Sequence, residues 1–146
     1  MKPKLWHHIL TGLSGLSLLG VTIFTAVRWN SLPDRIPTHF NAAGLADGYG
    51  PKSGVVMLLG LAWFMLILLT VAAFFPNAWN VPNRSPRTLA AAANMVAVMK
   101  LMTSLLFAWV VFCTVQGRGL GAWFMPAIMT GMFAPLVYLL IACARK

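Results

Sequence analysis

The sequence predicts an all-α membrane protein, a bundle of four transmembrane helices with an ordered Pro/Gly-rich extracytoplasmic loop between the first two. Hydrophobic residues make up 60% of the chain and charged residues 9%, against about 45–50% and about 25% in soluble domains. Four long apolar runs follow one another, and each reaches the ~17–25 residues that a helix needs to cross the bilayer. Since lipid offers no hydrogen-bond partners, each run must satisfy its own backbone as a helix.

We expect these helices at residues 9–27, 54–75, 86–115 and 121–144, within one integral membrane domain that spans residues 1–146. The first run follows Lys2 and Lys4, as in a secretory signal. Its 19 residues exceed the ~7–15 of a signal's apolar core, and Thr25-Ala26-Val27 is a poor cleavage site. We therefore interpret it as a retained helix.

The third helix has a recognisable start at Ser85-Pro86. Serine caps a helix N-terminus well, and proline is tolerated at the first helical position because its missing N–H is not needed there. The connections at residues 28–53, 76–88 and 116–120 contain the Pro, Gly and Asn residues expected between helices.

Lysine and arginine residues near the helix ends indicate the orientation. With the N-terminus inside, the cytoplasmic side holds six of them, Lys2, Lys4, Arg84, Arg87, Arg145 and Lys146, and the outer side holds four, Arg28, Arg35, Lys52 and Arg118. This count favours an N-in, C-in topology with the loop outside. The net charge of +9 is scattered among connections, so we expect contact with the lipid bilayer and no nucleic-acid partner.

The two cysteines predict neither a disulfide nor a metal site. Cys113 and Cys143 show no metal-binding spacing. In this topology they lie near opposite faces of the membrane, too far apart for a disulfide within one chain.

The loop at residues 28–53 concentrates the polar chemistry of the chain. Three prolines and three glycines restrict or turn its backbone, and the segment from Ile36 to Asn41 is expected to be extended because of Pro37. We expect an ordered cap on the helix ends with five apolar anchors: Leu32, Ile36, Phe40, Leu45 and Tyr49.

His39, Asp47 and Asp34 are candidate metal ligands, because one imidazole and two carboxylates could hold a divalent ion together with water. The alternative, which we favour, is that these groups hydrogen-bond the backbone of the loop. We therefore expect no metal and no other cofactor.

Lys100 is the one charged residue inside a long apolar run. It lies on a stripe of small residues, Ala93, Ala97, Ser104 and Ala108, which predicts a close helix contact. Its ammonium either faces the bundle interior, where it could bind an anion, or extends along its stem to water at the cytoplasmic edge. The second interpretation is favoured.

The spaced residues of the loop resemble the signature of a bacterial family catalogued as domain of unknown function 1648. They are Leu32-Pro33, Ile36-Pro37, His39-Phe40-Asn41, Gly44, Asp47-Gly48 and Lys52. The family includes the SdpI-type immunity proteins, which carry this domain at their N-terminus, protect cells from a secreted killing protein and take part in signalling. SdpI-type proteins have further membrane helices after the domain.

The resemblance implies a protein of the bacterial plasma (inner) membrane whose loop faces outward. It makes the loop the place where a toxin, peptide or envelope component would bind. The candidate ligand-binding or motif residues are Pro33, Asp34, Pro37, His39, Phe40, Asn41, Gly44, Asp47 and Lys52.

Three classes of function fit these observations. The favoured class is a binding or immunity-type membrane protein with a peptide or protein ligand at its outer face, and a homo-oligomer is compatible with it. The alternatives are a small transporter or channel component and a membrane-embedded enzyme that uses His39 and Asp47. Catalysis is less favoured, because no serine or cysteine nucleophile with His and acid partners and no phosphate-binding loop is evident. A proton-coupled pump is disfavoured because the apolar runs contain no carboxylate.

Overall fold

The structure, a computed structural model, describes residues 4–81 and 84–144. In this part of the chain four helices are long and apolar enough to cross a membrane. They are α1 (Leu5–Arg28), α2 (Gly54–Phe74), α3 (Pro86–Gln116) and α4 (Phe124–Ala144). The predicted four-helix membrane fold is confirmed. Lys2, Arg145 and Lys146, which entered the orientation count, lie outside the described residues.

Two predicted helix starts were wrong. α1 begins at Leu5 rather than Ile9, because the backbone N–H of Lys4 donates to His7 Nδ1 at 3.1 Å and caps the first turn. α4 begins at Phe124 rather than Gly121, because Gly121 has a positive φ of 90° and belongs to a turn. The start of α3 is as predicted, with Ser85 Oγ accepting from the Thr88 N–H at 3.2 Å.

Helix α3 is the centre of the bundle and packs against α1, α2 and α4. Small side chains let it approach its neighbours closely, and Ala97 and Ser104 of the predicted stripe are buried. Large apolar side chains cover the outside, among them Leu16, Ile23, Met57, Phe64 and Leu140. Such a surface suits lipid, since soluble proteins rarely expose apolar patches of this extent.

The connection between α1 and α2 contains a β-hairpin that the sequence analysis did not predict. After a short 3₁₀ turn at Trp29–Ser31, strand β1 (Arg35–Phe40) pairs antiparallel with β2 (Ala46–Pro51). The cross-strand pairs are Arg35 with Pro51, Ile36 with Gly50, Pro37 with Tyr49, His39 with Gly48 and Phe40 with Ala46.

The base of the hairpin is buried in the end of the bundle. Ile36 is 1% exposed and packs with Val21, Val55 and Val111, one residue from each of α1, α2 and α3. Leu32 is also buried, but Leu45 and Tyr49 are 61% and 55% exposed. These two were predicted to be anchors, and that prediction was wrong. Burial alternates along β2, and Tyr49 lies on its exposed face, while Leu45 lies in the turn just before that strand.

Candidate functional site

The turn of the hairpin is closed by Asn41. Its side-chain oxygen accepts the backbone N–H groups of Ala43 and Leu45, both at 3.0 Å. Gly44 then adopts a φ of +74°, which a residue with a side chain rarely does. The Gly44 carbonyl accepts the Leu120 N–H at 2.7 Å. The turn is therefore fixed internally and tied to the connection between α3 and α4.

His39 and Asp47 form a pair across the two strands near this turn. His39 Nδ1 lies 2.5 Å from Asp47 Oδ1, and with an ionised carboxylate the ring N–H is the donor. The strand register shifts on both sides of His39, as at a β-bulge, which redirects side chains. Gly48 lies opposite His39, and a Cβ there would lie 2.9 Å from the His39 Cβ. The site needs glycine at this position.

The His39–Asp47 pair is accessible. The His39 side chain is 72% exposed and that of Asp47 is 42% exposed. Because Nδ1 is held by the carboxylate, the imidazole has a fixed orientation and its Nε2 is the nitrogen left for a ligand. The pair can donate or accept a hydrogen bond at a defined position, which is what recognition requires.

Asp34 and Lys52 lie at the base of the hairpin, away from this pair. The Lys52 N–H donates to the Asp34 carbonyl at 3.0 Å, and Lys52 Nζ lies 3.9 Å from Asp34 Oδ1. Lys52 Nζ also lies 5.5 Å from the centre of the Trp29 ring, within the distance of a cation–π interaction. These residues close the base of the hairpin against the end of α1.

The candidate metal ligands do not converge. His39 and Asp47 are together, but Asp34 is beyond the far end of β1, beside Arg35, which pairs with Pro51. Among residues 4–81 and 84–144, no group of three His, Cys, Asp or Glu side chains could hold a metal ion. The three-ligand hypothesis for the loop was therefore wrong in its geometry.

Lys100 lies inside the bundle, near the middle of α3 and away from the hairpin. It is 5% exposed, and its Nζ donates to Thr11 Oγ1 of α1 at 2.6 Å. It lines a cavity of about 410 Å³. The geometry matches the interior interpretation and not the favoured one, in which the stem leads the ammonium to water.

The polar groups around Lys100 were not predicted from the sequence. His7 Nε2 lies 3.1 Å from Asn94 Oδ1, and both residues line the same cavity as Lys100. The four-residue spacing of His7 and Thr11, which places both on one helix face, was the available signal.

Comparison with known proteins agrees with the resemblance. Residues 16–63 match the model of the family described as Domain of unknown function (DUF1648). The matched segment runs from α1 through the hairpin into α2. No curated protein and no solved structure matches the chain.

Proposed function

We propose that the chain, whose residues 16–63 match the DUF1648 family, is a bacterial plasma-membrane protein that binds a peptide or protein ligand through its hairpin. In this proposal both termini are cytoplasmic and the hairpin faces outward, where it meets a toxin or envelope polypeptide. The resemblance of the loop to the SdpI-type immunity proteins supports this role. One observation carries the proposal: the hairpin is held at its base and at its turn while His39 and Asp47 remain exposed.

Rigidity supports a role in recognition. Ile36 is buried in the bundle, and Leu120 is hydrogen-bonded to the turn. A surface that is already ordered loses less conformational entropy when a ligand binds. Leu45 and Tyr49 add exposed apolar area to the polar pair, and tyrosine is enriched where proteins bind one another.

Recognition fits the surroundings of the pair better than catalysis does. An enzyme would hold its substrate in a concave site beside the reacting groups. The cavity that Lys100 lines and a second one beside Trp29 are formed by residues other than His39 and Asp47. The pair is instead exposed on the two strands of the hairpin, as suits contact with a larger partner.

Site-specific photocrosslinking in living cells tests the proposal, because the chain has two tyrosines with matched exposure. Tyr49 lies on β2 and is 55% exposed, whereas Tyr138 lies on α4 and is 54% exposed. Each is replaced in turn by benzoylphenylalanine, and adducts are identified by mass spectrometry. We expect a secreted or envelope polypeptide on position 49 and none on position 138.

The variants His39→Ala and Asp47→Ala, at matched membrane levels, are expected to lose the adduct at position 49. Arg118→Gln, which removes a charge from the neighbouring connection, should keep it. Adducts with lipid alone at position 49, or a polypeptide adduct that persists in both hairpin variants, would show that the hairpin is not the binding surface.

A further inference from the structure

The cavity beside Lys100 lies at the end of the bundle that holds the N-terminus, away from the hairpin. It is bounded by the first turns of α1, the end of α2 and the first half of α3. Its volume of about 410 Å³ falls within the ~300–1,000 Å³ of small-molecule sites. It extends from Lys4 and Asn77, which lie just beyond α1 and α2, to Lys100 within α3.

Lys100 brings a positive charge into the bundle without a carboxylate to neutralise it. It lies about 21 Å along α3 from Pro86. The two acids of the chain, Asp34 and Asp47, are both in the hairpin segment at the opposite end. The buried ammonium has one hydrogen-bond acceptor among the described residues, Thr11 Oγ1. An ammonium has three donors, and a buried charge is costly unless it is paired.

Three of the other polar residues of the cavity, His7, Asn94 and Thr11, have their acceptor atoms already engaged in hydrogen bonds. His7 Nδ1 accepts the Lys4 N–H, so Nε2 carries the ring proton and donates to Asn94 Oδ1. This bond occupies the amide oxygen of Asn94 and leaves its N–H₂ group to donate elsewhere. Thr11 has its own hydroxyl proton committed to the His7 carbonyl at 2.9 Å, so it accepts from Lys100 and adds no acceptor for a second cation.

Thr70 is a further lining residue of the cavity. Its hydroxyl oxygen is buried out of reach of the cavity and has no hydrogen-bond partner within residues 4–81 and 84–144. Lys100 is therefore the group that decides which ligand the cavity accepts.

We infer that this cavity binds the phosphate group of an anionic phospholipid. Phosphate oxygens accept hydrogen bonds and are negatively charged, so a phosphate group would neutralise the Lys100 ammonium. Part of the remaining wall is apolar, with Phe74, Ala93, Val96 and Ala97 in it, and this part suits the glycerol and first acyl carbons attached to such a phosphate. A free phosphate ion offers the same polar chemistry without the apolar part.

Titration of the purified full chain in neutral detergent tests the inference, with the thermal midpoint followed by tryptophan fluorescence. Three probes distinguish a phospholipid from a free phosphate ion as the ligand. They are phosphatidylglycerol, a diacylglycerol with the same acyl chains and no phosphate, and inorganic phosphate. Three variants are compared with wild type. Lys100→Met keeps the stem and removes the charge, and Val96→Phe places a larger apolar side chain in the cavity without changing any charge. Arg118→Gln removes one exposed charge at the other end of the bundle.

For phosphatidylglycerol we expect Lys100→Met to raise Kd by about tenfold or more, which corresponds to about 1.4 kcal/mol. Val96→Phe should weaken binding severalfold, because the larger side chain occupies space that the lipid needs, and Arg118→Gln should bind as wild type does. Phosphate binding as tight as that of phosphatidylglycerol, with the same variant dependence, would confirm the polar site and assign it to a soluble ion instead of a lipid.

Equal binding of diacylglycerol and phosphatidylglycerol would overturn the inference. So would unchanged phosphatidylglycerol affinity in Lys100→Met. If Lys100→Met fails to fold, Val96→Phe decides, because it retains every charge and fills part of the cavity. Wild-type affinity for phosphatidylglycerol in that variant would show that the lipid does not bind in this cavity.

Discussion

The backbone of Gly44 lies directly against that of Gly121, so that a Cβ on Gly44 would lie 2.8 Å from the Gly121 carbonyl oxygen. These residues belong to different connections, the hairpin turn and the link from α3 to α4. Their contact and the Leu120–Gly44 hydrogen bond join the two connections at one end of the bundle. The position of the hairpin thus depends on a close contact between two backbone segments, where no side chain fits.

Gly44→Ala is expected to destabilise the protein by about 1–3 kcal/mol, since alanine is strained at a positive φ and its methyl group would displace Gly121. Gly12→Ala is the matched control, because Gly12 lies in α1 and a Cβ there meets nothing within 4 Å. Thermal unfolding in detergent should show a lower midpoint for the first variant and an unchanged or higher one for the second. Equal midpoints would contradict the contact.

Asn41→Ala is expected to loosen the turn, because it removes the acceptor shared by the Ala43 and Leu45 N–H groups. Each lost hydrogen bond should cost about 0.5–1.5 kcal/mol. Amide hydrogen exchange measures the effect, with faster exchange expected at Ala43 and Leu45. Asn41→Asp keeps an acceptor oxygen and should retain slow exchange. Fast exchange at both amides in the wild type would show that the turn is not held in this way.

His39→Ala and Asp47→Ala are expected to leave abundance in the membrane and the unfolding midpoint nearly unchanged. Their side chains are 72% and 42% exposed, and ion pairs in contact with water contribute little to stability. Insertion depends on the apolar helices, which these substitutions do not touch. Quantitative immunoblots of membranes and thermal unfolding provide the measurement. A large loss of either signal would make the pair structural and would remove it as a ligand site.

Lys100→Met is expected to raise stability in neutral detergent without anionic lipid, by roughly 1–4 kcal/mol, the range seen when apolar side chains replace buried charges. The ammonium has no carboxylate partner, so its removal relieves a cost that Thr11 only partly offsets. Arg118→Gln removes an exposed charge and should have little effect. A lower midpoint for Lys100→Met would mean that the cation stabilises the bundle itself.

Membrane orientation can be tested by cysteine labelling in a Cys113→Ala, Cys143→Ala background. Ala42 is exposed at the hairpin turn, and Ala78 is exposed in the connection between α2 and α3. With the N-terminus inside, an impermeant maleimide added to intact cells should label Ala42→Cys and not Ala78→Cys. The reverse pattern would place the hairpin in the cytoplasm.

The four helices could be predicted because lipid leaves a long apolar run no other conformation. The hairpin could not, because β2 contains Gly48, Gly50 and Pro51, residue types that are depleted in strands. Position 48 needs glycine because the His39 side chain lies over it. This requirement is visible only when the pairing of the two strands is known.

The candidate site residues could also be predicted only in part. The concentration of polar residues in one connection indicated a site in the segment that forms the hairpin, and the isolated charge drew attention to Lys100. Their partners were less accessible to prediction. Thr11 and Lys100 are 89 residues apart in the chain, so their contact depends on how α1 packs against α3.

The hydrogen bond from Leu120 to Gly44 also bears on the order in which the protein is made. Ribosomes release a chain from its N-terminus, so α1, the hairpin and α2 are synthesised before α3 and the segment that follows it. The turn of the hairpin can therefore form its hydrogen bond with Leu120 only after α3 has been synthesised and inserted into the membrane. During biogenesis, insertion of the third helix thus precedes the final positioning of the hairpin.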